Sequence, residues 1–176
     1  MTYTDAHPVR LAGGRLALDL INTADWSRDG AVAHEKVETM ADIAIWMTAL
    51  GVAKAGRPAD ANEFHVFRDQ LRSAMLCQQS GPVASVMARA GMLTLEEEPD
   101  RQPLLTLAAA SALSILADPR ERGRVKMCPG TNCGWLFMDE TGNGRRKWCL
   151  METCGNRAKA SGHYQRLTKA RAEGRR

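Results

Sequence analysis

Aromatic side chains are scarce in this 176-residue chain, which has three Phe, two Tyr and four Trp. That poverty, beside abundant Ala, Leu and Met, argues against a sandwich or barrel and for helices. Long apolar runs are also missing. Gln102–Ala117, one of two uncharged stretches of equal greatest length, is interrupted by Pro103, Thr106, Ser111 and Ser114 and is too short to span a bilayer. The N-terminal MTYTDAHPVR has no apolar signal-peptide segment, so a cytoplasmic protein with no membrane partner is expected. No G-x-S-x-G, H-E-x-x-H or P-loop pattern occurs, and no internal repeat. Scattered Asp19, Asp42 and His65 are explained by capping and surface positions, so an enzyme is not expected.

Charge is present but unevenly placed. Residues 1–123 hold 12 Lys/Arg against 16 Asp/Glu, and residues 124–176 hold 12 against 4. An acidic body with a basic end suggests that the end meets a polyanion. A solvated basic tail is the competing explanation.

Three helices are signalled strongly in the body. Thr39 and Asp42 form a capping-box pattern ahead of Met40, Ile43, Met47 and Leu50, with Gly51 as terminator; Trp46 and Met47 should pack. Asp60–Glu63 caps a helix whose apolar stripe is Phe64, Phe67, Leu71, Ala74 and Met75. It should run to about Cys77, itself read as a small buried hydrophobe. Leu107–Ala117 reads as a helix stopped by Asp118-Pro119. A short helix over Val83–Ala90 and another over Gly13–Asn22 complete the set, although the second run is too brief for period to arbitrate. Ala24–Lys36 reads as a polar loop. Met92–Ala108 reads as a β-hairpin turning at Glu98–Gln102, with Pro103 opening an edge strand.

Cysteine is concentrated. Apart from Cys77, the thiols follow Cys128-x4-Cys133-x15-Cys149-x4-Cys154. Two equal clamps around one spacer are what one tetrahedral, structural Zn2+ requires. A redox pair would call for C-x-x-C and a lowered thiol pKa. Four merely buried thiols would leave the spacing unexplained. Within the spacer, Gly134–Phe137 alternates as a strand, Asp139–Gly144 is a turn cluster, and Arg145–Trp148 should return as the second strand. A helix should begin near Cys154. The whole is a treble-clef-like finger, in which metal binding supplies on the order of 10 kcal/mol of folding free energy. Gly155 would let backbone approach the Cys154 sulfur, and Asn156 would bond the turn or cap the helix. Arg157 could offset thiolate charge or grip a phosphate.

On a helical wheel Ala160, Tyr164 and Leu167 share a face, expected to dock near Trp135 or Trp148. Lys159, His163, Arg166 and Lys169 share the opposite, basic face. With Arg145, Arg146, Lys147 and Arg157 these form the candidate nucleic-acid contacts. The fold class is therefore mostly α with a small β-hairpin: a helical domain over 1–123, then a four-cysteine zinc finger over 124–176.

The set C-x4-C-G-W-L-F-x-D, R-R-x-W-C and C-G-N-R-A-K, followed by a tyrosine, resembles the CGNR zinc finger over Cys128–Leu167. LALDLINT and the Trp46 helix resemble the ABATE domain that usually precedes that finger. The resemblance implies a bacterial stress-induced transcription regulator, zinc ligation by Cys128, Cys133, Cys149 and Cys154, and DNA binding by the finger. The body would sense a small-molecule effector or form a homodimer. The competing function is a zinc-stabilised protein-interaction module presenting Trp135, Phe137 and Trp148, or an RNA binder. Asp19, Asn22 and Thr23 match the LDxxNT element of the family. It reads as a helix end tied by polar side chains, in preference to a ligand-facing edge.

Overall fold

The computed structural model describes residues 8–27, 29–76, 80–93, 98, 101–131 and 133–173. Cys77 and much of the first arm of the expected 92–108 hairpin lie outside them.

The capping signals at Thr39 and Asp60 translate directly into helices. Helix α1 is Leu16–Ile21, α2 is Met40–Leu50, α3 is Ala61–Met75 and α4 is Ser80–Ala90. At the start of α2 the Thr39 hydroxyl accepts from the Asp42 N–H, and the Asp42 carboxylate accepts from the Thr39 N–H at 2.9 Å. These reciprocal bonds satisfy donors the first turn leaves open. Gly51, at φ +81°, ends α2 while the Val52 N–H bonds back to the Met47 carbonyl, a Schellman closure. On α3 the Asp60 carboxylate accepts from the Glu63 N–H at 2.7 Å, and all five stripe residues are buried. Trp46 meets Phe64 edge to face at 5.8 Å, joining α2 to α3.

Helix α5 spans Leu104–Ala117 and begins three residues before the expected start. The second arm of the 92–108 hairpin is thus helical. Leu104, Leu105, Ala108, Ala109, Ala112 and Ile115 are buried at helical spacing, and burial of that stripe decides against the strand. Pro103 sits just before the helix, where its missing N–H costs nothing, and makes only an isolated bridge to Gly56. Helix α6, Pro119–Arg122, follows, with the Asp118 carboxylate accepting from the Arg120 N–H. Helix α5 packs against α1, α3 and α4, forming the helical body.

The polar 24–36 segment is not a loop. Strands β1 (Ala24–Trp26) and β2 (Val32–Glu35) pair antiparallel around a bulge at Asp25/Trp26. Its composition hid it because β2 has no buried residue. Trp26 holds the hairpin down: its indole N–H donates to the Ile21 carbonyl at 3.0 Å, and the guanidinium groups of Arg68 and Arg72 stand over its ring. Arg68 is buried and answered by both Glu35 oxygens.

The finger begins with β3 (Val125–Met127), antiparallel to β4 (Leu136–Met138). This corrects the expected pairing: Arg145–Trp148 is irregular, and the partner of β4 lies before the first cysteine. A π-helical turn, Met151–Gly155, leads into α7, Asn156–Glu173. One continuous core runs from Ala12 through the helices to Cys154.

Candidate metal centre

The β3–β4 hairpin places the first clamp. Cys128 follows β3 and Cys133 precedes β4, and the Cys128 N–H donates to the Trp135 carbonyl at 2.8 Å, closing the knuckle. Cys149 ends the irregular return, and Cys154 sits in the π-helical turn. All four thiols are buried, none is in a disulfide, and their sulfurs lie within 4.8 Å of one another. Cys133 to Cys149 is 3.5 Å and Cys149 to Cys154 is 3.7 Å. A tetrahedron of Zn–S bonds of about 2.3 Å has edges of about 3.8 Å, so the cage has the size of a zinc site.

Electrostatics lead to the same conclusion. The neighbouring Cys128 thiolate pushes the Cys133 thiol up to about 12, and the neighbouring cysteines push Cys149 up further. Cys128 is driven down by the thiols that donate to it. Four thiolates this close repel one another, and a divalent cation among them removes the conflict.

Backbone makes room for the sulfurs at an unexpected glycine. A Cβ at Gly130 would lie 3.0 Å from the Cys154 sulfur. A Cβ at Gly155 would run into the Met151 side chain. Asn156 bonds the turn: it is already helical, and its amide donates to the Glu152 carbonyl at 3.2 Å.

The candidate nucleic-acid residues do not behave alike. Arg145, Lys147, Arg157, Lys159, His163 and Arg166 are exposed, and the side chain of Lys169 lies outside the described part. Arg146 turns inward. Its guanidinium donates to the carbonyls of Ala12, Met138, Trp148 and Cys149 and stands 4.5 Å from the Phe137 ring centre. With most of its donors committed to these carbonyls, Arg146 braces the finger from within and has few left to offer a phosphate.

Helix α7 docks by a different side from the one expected. Tyr164 is 69% exposed and Ala160 is also exposed, while Ala158 and Gly162 are partly buried. With Trp148, Pro129 and Gly130 they line a shallow groove of about 250 Å³. A wheel tells which residues share a side; the exit direction of the zinc turn decides which side faces inward. Trp135 and Phe137 are buried, so they form no exposed aromatic contact patch.

Two features escaped sequence reasoning. Asp139 is a buried hub, accepting from Lys126 at 2.6 Å, from the Thr141 N–H at 3.0 Å and from the Arg146 N–H at 3.0 Å. The Lys126 ammonium and the Thr141 hydroxyl hold its carboxyl well below the usual range. The second is the seam between body and finger. Asn22 pairs with both groups of the Leu136 peptide, and the Thr23 hydroxyl donates to the Leu20 carbonyl. Asp19 accepts from the Gly13 N–H at 2.8 Å, its pKa raised by burial against the pull of these backbone donors. Gly13 in turn accepts from the Met138 N–H, and the Trp135 indole donates to the Ala24 carbonyl at 3.0 Å. The LDxxNT element is a tied helix end, as its polarity suggested, and what it ties is the finger.

Among the described residues no helix is long and apolar enough to cross a membrane. No curated protein matches the chain. Two family models do: the CGNR zinc finger over residues 124–167, and ABATE, described as "Putative stress-induced transcription regulator", over residues 14–124. Cys128, Cys133, Cys149 and Cys154 thus form the site of one structural zinc ion within a CGNR finger. With more than half of its length matched by the ABATE model, the chain belongs to the ABATE family and carries a CGNR zinc finger after that domain.

Proposed function

We propose that this protein is a zinc-dependent DNA-binding transcription regulator, with residues 124–176 as the reading module and residues 1–123 as the sensing or dimerising body. The observation that carries the reading is the exposed basic surface, free of carboxylate partners among the described residues, at the metal-fixed end. Arg145, Lys147, Arg157, Lys159 and Arg166 are exposed and form no ion pair among the described residues. Helix α7 is polar on nearly every side, and such a helix is poorly stabilised by burial on its own domain. A duplex would supply what it lacks: phosphates along the backbone and a major groove wide enough for a helix.

Band shifts across a salt series test this. Binding to duplex at low salt should weaken steeply as salt rises, since each neutralised phosphate releases counterions. A Lys159→Glu/Arg166→Glu protein should bind at least tenfold more weakly and show a shallower salt slope. No binding of the zinc-loaded protein to duplex at low salt overturns the reading. Preference for single-stranded RNA over duplex would move it to the RNA alternative.

A further inference from the structure

Helix α3 sends a second arginine toward the finger. Arg72 is 4% exposed, and among the described residues no carboxylate is in contact with it. Asp69, which acts on Arg72 through space, makes its own ion pair with Arg68, as does Glu35. The Arg72 guanidinium lies 4.3 Å from the Trp26 ring centre. One Nη donates to the Gly134 carbonyl at 2.8 Å, the other approaches the Met127 sulfur at 3.7 Å, and among the described residues Nε has no hydrogen-bond partner. Met127 immediately precedes Cys128 and Gly134 immediately follows Cys133. The cation therefore spans the foot of the first zinc clamp.

A buried cation without a carboxylate is costly unless another negative charge answers it. The metal centre carries that charge, because one Zn2+ and four thiolates leave a formal −2. We infer that Arg72, from the helical body, is the buried counter-charge of the zinc–tetrathiolate centre, so that the body sets how tightly the finger holds its metal. Two further features agree. Burial pulls Arg72 down to about 10, while Asp69 first and Cys133 after it work the other way. Arg146, the inward arginine of the finger itself, binds the carbonyl of Cys149 on the opposite clamp. Guanidinium suits the position because it is more weakly hydrated than ammonium and stacks on an indole.

Zinc affinity of the full chain, measured by competition with a chromophoric chelator, tests the inference. Arg72→Gln retains a donor for the Gly134 carbonyl but no charge; Arg72→Lys retains charge. The expected result is a loss of about ten- to a hundredfold for Arg72→Gln, the size typical of groups that support metal ligands, with Arg72→Lys within a few-fold of the parent. Arg72→Met, which keeps an aliphatic stem on Trp26, gives the same readout should Arg72→Gln not fold. Equal losses for the Lys and uncharged variants, or no loss in any, would overturn the inference.

Discussion

The side-chain amide of Asn22 pairs with the peptide of Leu136 as a neighbouring strand would, donating to its carbonyl at 2.8 Å and accepting from its N–H at 2.9 Å. Asn22 ends α1 in the body and Leu136 opens β4 in the finger. One buried side chain thus extends a two-stranded hairpin across the junction of the two family modules. Asn22→Ala would leave both peptide groups buried and unanswered, at about 1–3 kcal/mol each. Denaturant unfolding of the zinc-loaded chain should show a loss of about 2–4 kcal/mol. A loss below ~0.5 kcal/mol would mean that water replaces the amide.

The same seam couples metal to body. Chelating zinc should lower protection of the α1 amides in hydrogen exchange as well as those of the finger, since α1 packs on β4. With free zinc a thousandfold above its dissociation constant, the shared loss is on the order of 4 kcal/mol. A loss of protection confined to the finger would show two independent units.

Two glycines should respond differently. Gly130→Ala drives a methyl group to 3.0 Å from the Cys154 sulfur, which the cage holds in place; overpacking of this kind costs about 1–3 kcal/mol. Gly155→Ala meets Met151, which is half exposed and can swing away, so its cost should stay under ~1 kcal/mol. Thermal unfolding and zinc competition on both variants check the order. The reverse order would place the tight contact at Gly155 after all.

Asp139 adds a pH-dependent contribution. Its carboxyl is depressed in the fold by Lys126 and Thr141, so the stabilisation is complete above its ordinary pKa. It is lost as pH falls through the folded value. The stability gap between the parent and Asp139→Asn should therefore be largest near neutrality and shrink as pH drops below about 4. Taking the difference between two proteins with the same cysteines cancels the metal's own acid sensitivity. A gap that is constant with pH would remove the ion pair from the account.

Local signals made much of this protein legible in advance. Caps at Thr39 and Asp60, the stripe from Phe64 to Met75 and the spacing of four cysteines act over a few residues, and each appears where its chemistry requires. The segment from Leu104 to Leu107 fits strand and helix periods alike, and only packing against α1, α3 and α4 resolved it. The partner of β4 could not be read either, because pairing is a choice among distant strands. Arg145–Trp148 and Val125–Met127 both lie close enough in sequence to serve, and the fold pairs the second.

From the chain alone came the zinc ligands, the helical class and the division of charge, because ligand type, period and net charge are carried by the residues themselves. Tertiary structure decided what each cation does: Arg146 and Arg72 are drawn inward to carbonyls and toward the thiolate cage, while Lys159 and Arg166 remain in solvent. Nothing in an arginine's own chemistry distinguishes these fates. Burial, and the charge waiting at the other end of the side chain, does.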